Sequence, residues 1–420
     1  MKQTRQVWIF HHYATLPNLN GHIRPYRFAQ YLKETKTTIF ASSYQHFSDI
    51  NLIDGDRKYI INTDFDTPFV FVRTPPSSAG KASRIKNMLA FYQGLFSCSR
   101  DYADKYGRPN IIIASSPHPL ALIAGIKVAK AFDIPCICEV RDLWPEAIFT
   151  ASSIGKNSIT GKLLSAGERW IYRHADALIF TKEGDTDYLK ERGWDIAHGG
   201  DISLKKCYYI NNGVDLSEYQ QQISANRFAD SDLDAESFKV VYTGAIRPVN
   251  NVGNILDAAK LLLADGSIRF LIYGDGNQRE ELQRRAVNEG LTNVTFKGFV
   301  DRKYIPYILS RSSVNLLNYS GTKYNWSRGN SSNKLFEYMA SGKPVISTVK
   351  MGYSIIEKYG CGIELVDLKS EALADAILIL KDMPQEEYSN FCLAAANGAK
   401  DFDYVRLTEK LEEVMTQFCK

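Results

Sequence analysis

The 420-residue chain carries 51 Lys and Arg against 47 Asp and Glu, a net charge of +4, with 45% hydrophobic and 23% charged residues. That length exceeds one ordinary core and points to two domains. The charge is too small to argue for nucleic acid, and it permits contact with an acidic membrane surface where basic residues cluster. The sequence shows no uncharged apolar span long enough to cross a bilayer, and the apolar run in MKQTRQVWIFHHY is too short for a signal peptide. Seven scattered cysteines without a CxxC pair fit a reducing, cytosolic compartment; Cys136 and Cys138 read as buried thiols, and the last of the seven is Cys419.

Residues 7–10 form a short apolar strand followed at once by His11, His12 and Tyr13. A polar loop through Asn18, Asn20 and Gly21 leads into a helix over 25–33; one glycine is far weaker than GxGxxG and does not argue for an NAD site. Strands are expected at 37–42 and 69–72. Residues 81–106 read as a long helix in which Arg84, Lys86 and Arg100 punctuate Ile85, Leu89, Phe91, Tyr92 and Leu95. A core-packed helix with a charged outer face is the favoured reading, and an anionic membrane surface is the alternative.

A continuous apolar strand at 111–114 ends in Ser115-Ser116-Pro117-His118, and a helix over 120–132 leads to a second strand at 135–140, which runs into RDLWPE at 141–146. Continuous apolar strands alternating with helices imply a parallel sheet, and polar residues at the strands' carboxyl ends line its ligand crevice. His118, Arg141, Asp142 and Glu146 stand at such ends. Further strands fall at 177–180 and 207–210, and the polar stretch 217–237 reads as the domain boundary.

The pattern then restarts, with strands at 239–242, 268–273, 294–296 and 314–317 alternating with helices over 252–263 and 278–289. Next comes RGNSSNKLFEYMASGKPVI at 328–346: a loop of small polar residues, a short apolar helix and a Gly-Pro exit to a strand. Free N–H groups at a helix start, with Lys334 beside them, make an anion cradle suited to a nucleotide diphosphate. A strand at 363–366 and a helix over 370–381 follow. A final helical run, broken near 401–404, is expected to cross back onto the first domain.

Seven short motifs now stand in order along the chain: EVRDLWPE (139–146), FTKEG (180–184), INNGVD (210–215), YTG (242–244), YGDG (273–276), FKGFV (296–300) and NKLFEYMASGKPVI (333–346). Together they resemble the retaining, GT-B-fold glycosyltransferases of family 4, and RDLWPE is similar to the branch that builds bacterial surface polysaccharides. The resemblance implies an α/β protein with two Rossmann-like domains facing across a cleft. Residues 1–218 would bind the acceptor, 219–398 the nucleotide-sugar, and 399–420 would pack back on the first domain.

Position by position, the resemblance places Glu337 on the ribose hydroxyls and the Phe299-Val300 backbone on the base. Gly244, Gly274 and Gly276 lie where the chain passes close to the donor, and Gly21 falls near the diphosphate and acceptor. This sequence departs from the family at Gly329, where a Glu contacting the donor sugar is usual, so sugar recognition is expected from Asn330, Ser331, Ser332 and Asn333. The phosphate-clamping Arg and Lys fall on Ala245 and Asn250. Arg247 and Lys334, with the helix start through Leu335, are expected to compensate. The family's active-site His falls on Arg141 or Asp142, which with His118 are the catalytic candidates.

The expected reaction is metal-independent and uses no cofactor, with a UDP-linked sugar as donor and a polyprenyl-diphosphate-linked glycan as acceptor. The expected location is the cytoplasm, peripheral at the inner face of the plasma membrane, without nucleic acid as partner. The alternatives are a nucleotide-sugar 2-epimerase of the same fold and a non-catalytic subunit that binds nucleotide-sugar.

Overall fold

The computed structural model describes residues 4–19, 21–46, 48–151, 154–321 and 325–418; Asn20 and Cys419 lie outside them. The chain divides into two compact units, Met1–Asn211 with Leu407–Lys420, and Asn212–Arg406.

In the first unit the elements run β1 (Arg5–His11), α1 (Arg24–Tyr31), β2 (Thr35–Ser42), the small β3 (Tyr44–Gln45) and β4 (Ile50–Asn51), β5 (Tyr59–Asn62), β6 (Phe69–Val72), α2 (Lys81–Tyr106), β7 (Ile111–Ser115), α3 (Pro119–Phe132), β8 (Cys136–Val140), α4 (Trp144–Ala151), α5 (Ile159–His174), β9 (Ala177–Phe180), α6 (Asp185–Glu191) and β10 (Cys207–Tyr209). Eight strands pair in the order β10-β9-β8-β7-β1-β2-β6-β5, parallel except for β5 against β6. The central strands are buried along most of their length, all five residues of β7 and of β8 among them, as expected of a parallel sheet covered on both faces. Trp8 of β1 packs its ring 4.9 Å from Phe40 and 5.6 Å from Tyr102 of α2. Helix α2 is core-packed through Phe91, Leu95, Cys98 and Tyr102, while Ile85 and Leu89 of its first half stay exposed. The chain's last residues also belong to this unit. Glu412 accepts the Lys33 backbone N–H at 2.6 Å and Gln417 accepts the Tyr208 hydroxyl at 2.6 Å.

Helix α5 carries a carboxylate that composition would place at the surface. Glu168 is buried and accepts the hydroxyls of Tyr172 and Tyr188, each at 2.7 Å. Burial pushes its carboxyl up from 4.5 to about 7, the two tyrosine hydrogen bonds offsetting part of the rise. A raised acid makes the folded state hold a proton that the unfolded chain has released, so stability falls as pH rises from about 4.5 to about 7 and then levels. At about 1.4 kcal/mol per pH unit, the loss is about 3 kcal/mol. Glu168→Gln is expected to remove that slope from thermal unfolding measured between pH 5 and 7. An unchanged slope would show that the carboxyl does not titrate there.

In the second unit come α7 (Leu216–Ala225), α8 (Ser231–Asp234), β11 (Phe238–Thr243), α9 (Val252–Leu261), β12 (Ile268–Tyr273), α10 (Arg279–Asn288), β13 (Val294–Gly298), α11 (Ile305–Ser310), β14 (Val314–Leu317), α12 (Asn333–Ala340), β15 (Val345–Ser347), α13 (Ile355–Tyr359), β16 (Gly362–Glu364), α14 (Ser370–Asp382), α15 (Gln385–Lys400) and the start of α16 (Tyr404–Thr416). Six parallel strands pair in the order β13-β12-β11-β14-β15-β16, with apolar clusters on both faces. The polar stretch 217–237, which reads as a linker, instead lies largely in α7 and α8. Tyr219 and Leu233 anchor it in the core, and Asp230 takes Lys297 Nζ at 2.6 Å and the Tyr273 hydroxyl at 2.8 Å. With Ile223 and Phe228 packed only partly against the core, few apolar residues at uneven spacing leave little periodicity to read.

Candidate functional site

An open parallel sheet leaves a crevice at the carboxyl ends of its strands, where the strand order reverses. In the first unit that point lies between β1 and β7; in the second it lies between β11 and β14.

At the first point β1 ends in His11, and His12 follows. Arg141, just past β8, directs one guanidinium nitrogen to both His11 Nε2 at 3.0 Å and His22 Nδ1 at 3.4 Å. Arginine only donates, so those two ring nitrogens accept and both imidazoles are neutral. Burial first, then the Arg141 charge, holds His11 well below the usual histidine range and His22 at about 3. His12 stacks on Phe91 at 4.5 Å and shares a hydrogen bond from Nδ1 with His118 Nε2. Burial lowers both, His118 to about 3. Gly21 directly precedes His22.

Beneath this cluster lies a buried ion pair. Arg24 donates from Nε to Glu139 Oε1 at 2.8 Å, from Nη2 to the Ile210 carbonyl at 2.9 Å and from Nη1 to the Asn211 carbonyl; Ser115 donates its hydroxyl to the other Glu139 oxygen. Burial alone would raise the Glu139 carboxyl. Arg24, Arg141 and the hydrogen bonds outweigh it and hold the group below its usual range. Of the three catalytic candidates, His118 and Arg141 join this strand-end assembly. Asp142 is exposed and faces Lys182 Nζ at 3.9 Å.

The second unit's crevice is built around Lys334, in the first turn of α12. Its ammonium donates to the Tyr242 hydroxyl at 3.0 Å and stands 4.5 Å from that ring's centre and 5.9 Å from the Tyr319 ring. The Lys334 side chain rests on Gly244, whose φ is +133° and where any Cβ would collide with it. Burial pushes the Lys334 ammonium down to about 7, with Glu337 pulling weakly the other way. Tyr338 fixes α12 to the end of β11, its hydroxyl 3.1 Å from Thr243 Oγ1 and donating to the Thr243 carbonyl at 3.2 Å. Glu337 is partly buried, with Arg302 Nη2 at 3.4 Å.

The remaining donor candidates fall around this core. Gly274 packs against the Gly244 carbonyl and Gly276 against the Ile246 carbonyl. Phe299 is exposed, Val300 is half-buried, and Arg247 is exposed. Ser332 donates its backbone N–H to Asn330 Oδ1 at 2.8 Å, and the Ser331 carbonyl accepts the Asn212 amide at 2.6 Å; Asn333 opens α12, followed by Lys334 and the buried Leu335. Gly329 has φ +98°, a backbone that strains any side chain, so the departure from the family's Glu is built into the loop. Among the described residues, no group of three or more His, Cys, Asp or Glu is placed to hold a metal ion.

Residues 64–198 match the family described as glycosyl transferase 4-like domain, and residues 237–382 match glycosyl transferases group 1. Both units therefore carry glycosyltransferase domains. A protein named for teichuronic acid biosynthesis, the glycosyltransferase TuaH of Bacillus subtilis, is 26% identical over 215 residues, 49% of this chain and 51% of its own; the match spans about half of that relative. Among solved structures, HepE of Anabaena in complex with UDP aligns with a TM-score of 0.68 at 16% identity, covering 98% of this chain and 100% of HepE. Sucrose-phosphate synthase of Thermosynechococcus elongatus aligns at 0.69 with 15% identity, covering 98% of each chain. The fold shared with these glycosyltransferases is GT-B.

Of the donor candidates, Lys334, Gly244 and Glu337 lie together at the start of α12, where Tyr242 and Tyr338 were not among the candidates. In the first domain sequence reasoning passed over His11, His12, His22, Arg24 and Glu139. The strand-end rule that picked His118 applies equally to His11 and His12. His22 and Arg24 carry no local signal.

Proposed function

We propose that this protein is a retaining glycosyltransferase that moves a sugar from a UDP-linked donor to a lipid-linked glycan acceptor in bacterial surface polysaccharide synthesis. The observation that carries the reading is the Lys334–Tyr242–Gly244 cradle at the start of α12, with Glu337 one turn on. A diphosphate there meets an ammonium and helix N-terminal N–H groups, which stabilise the departing charge without a metal. Glu337 accepts the two ribose hydroxyls, and the Asn330–Ser332 turn meets the sugar. HepE has been crystallised in complex with UDP and with UDP-glucose, which supports the choice of nucleotide. The names of TuaH and of WaaG, a lipopolysaccharide glycosyltransferase, support the pathway class.

Arg141, on the first unit, is assigned to the acceptor, to which it supplies positive charge, and the buried, neutral His118 holds His12 beside the same strand ends. The leaving phosphate oxygen takes the acceptor hydroxyl's proton on the same face, giving retention. No described helix is long and apolar enough to cross a membrane; a cytoplasmic protein resting on the inner membrane face fits an acceptor of this kind. Glu337→Ala is expected to weaken UDP binding about tenfold or more in calorimetry, since it removes hydrogen bonds to a charged acceptor. Unchanged affinity would displace the ribose from Glu337.

A further inference from the structure

A cavity of about 210 Å³ lies within the first unit, bounded by α3, the start of α4 and α5. Its walls are Leu120, Ile123, Val140, Pro145, Leu164 and Ile171, with Trp144 and Glu168 among the polar-tipped residues. Those tips are already engaged. The Trp144 indole N–H donates to the Pro117 carbonyl at 2.7 Å, and the Glu168 carboxyl accepts two tyrosine hydroxyls. A sugar entering this space would lose its water hydrogen bonds without replacement, at a cost for each polar group buried. A hydrocarbon loses nothing.

The opening is marked by α5. Leu163, a lining residue, is 68% exposed, and Ile159 one turn earlier is 81% exposed. Lys162 stands exposed between them, and Lys156 lies just before the helix with Glu146 at 3.6 Å. Apolar surface thus runs from the cavity to solvent beside two lysines, the arrangement that suits an apolar chain with an anionic head. The lining also includes Ser116, Pro119 and the exposed Asp142, the neighbours of His118 and Arg141. Ser116 Oγ also accepts the Arg141 backbone N–H at 2.9 Å.

From the apolar walls, the satisfied polar tips and the lysine-flanked opening, we infer that this cavity holds the end of a single hydrocarbon chain of a phosphate-headed lipid. The inference rests on reading the first unit's strand ends as the acceptor side, and it specifies how that side grips the acceptor's lipid. At this volume the cavity takes part of one chain, so most of the lipid stays outside it.

Gly167 gives a variant that tests the cavity without endangering the fold. It lies on α5 in the cavity wall, and a Cβ built there meets nothing within 4 Å. Gly167→Leu also replaces a poor helix former with a good one. The probes are octyl, decyl and dodecyl phosphate below micelle formation, with inorganic phosphate and dodecyl maltoside as head-only and uncharged controls, titrated into the full chain by calorimetry. Affinity is expected to rise about fourfold per added methylene until the cavity is filled. Gly167→Leu should weaken dodecyl phosphate at least tenfold with no fall in unfolding temperature. Equal binding by variant and wild type, or no binding of dodecyl phosphate to the wild type, overturns the inference. UDP titrations run alongside separate the two readings: loss of alkyl phosphate binding with UDP binding intact defeats this inference alone, and alkyl phosphate binding without UDP binding defeats the donor assignment alone.

Discussion

Arg24→Ala is expected to be the most destabilising single substitution tested in the first unit, lowering its unfolding midpoint by roughly 10 °C. Both partners of the ion pair are about 95% buried, with side-chain exposures of 3% for Arg24 and 5% for Glu139. Removing the guanidinium leaves a buried carboxylate facing only the Ser115 hydroxyl and the more distant Arg141, and it strips a donor from the Ile210 and Asn211 carbonyls. Breaking a buried pair from one side costs about 3–5 kcal/mol, and a unit of this size loses about 2–4 °C per kcal/mol. The sign with pH follows from the Glu139 carboxyl, which the fold holds below its usual range. Its stabilising contribution is present above the unfolded carboxyl's range and is lost as pH falls through the folded one. The gap between wild type and Arg24→Ala should therefore narrow in acid. The double variant Arg24→Met, Glu139→Leu should recover much of the loss, because it leaves no unpaired charge. A midpoint for Arg24→Ala within a degree of wild type would show that the pair does not hold the unit together.

That pair also shows where a sequence stops being readable. Helix α2 and strand β12 have the bounds that their apolar patterns predict, because burial of a whole face writes itself into local periodicity. Arg24 reaches Glu139 across 115 positions and the Ile210 carbonyl across 186. Nothing near Arg24 announces either partner. Gly329 is a different case: a missing carboxylate was visible, while its φ of +98° was not, so a substitution read as a lost contact is also a rebuilt loop. Asn250 and Ala245 are knitted locally, since the Asn250 amide and the Tyr242 hydroxyl both donate to the Ala245 carbonyl. The fold was legible from apolar runs and strand ends; the long-range polar contacts of the first site were not.

The same local knitting leaves the charge inside the second crevice to Lys334, and the largest expected effect on binding follows from it. Burial holds its ammonium at about 7, so at pH 8 most molecules carry a neutral amine where the diphosphate is proposed to sit. An anion raises that group by pairing with it, and binding should draw in close to one proton at pH 8. Affinity is then strongest below pH 7 and falls about tenfold per pH unit above it, until the pH passes the raised value of the complex. UDP-glucose is the better probe, since both its phosphates are esterified and neither titrates near neutrality. Calorimetry in two buffers of different ionisation enthalpy reads the proton uptake directly. Lys334→Met should weaken UDP-glucose at pH 6 by about 10- to 100-fold, the value of a charged hydrogen bond, and abolish both the uptake and the pH slope. Its methyl end still lies along Gly244 and the Tyr242 ring, so the loop keeps its packing and the loss reports charge. If wild type binds UDP-glucose with no proton uptake between pH 7 and 8, Lys334 does not meet the diphosphate, and the exposed Arg247 becomes the group to test.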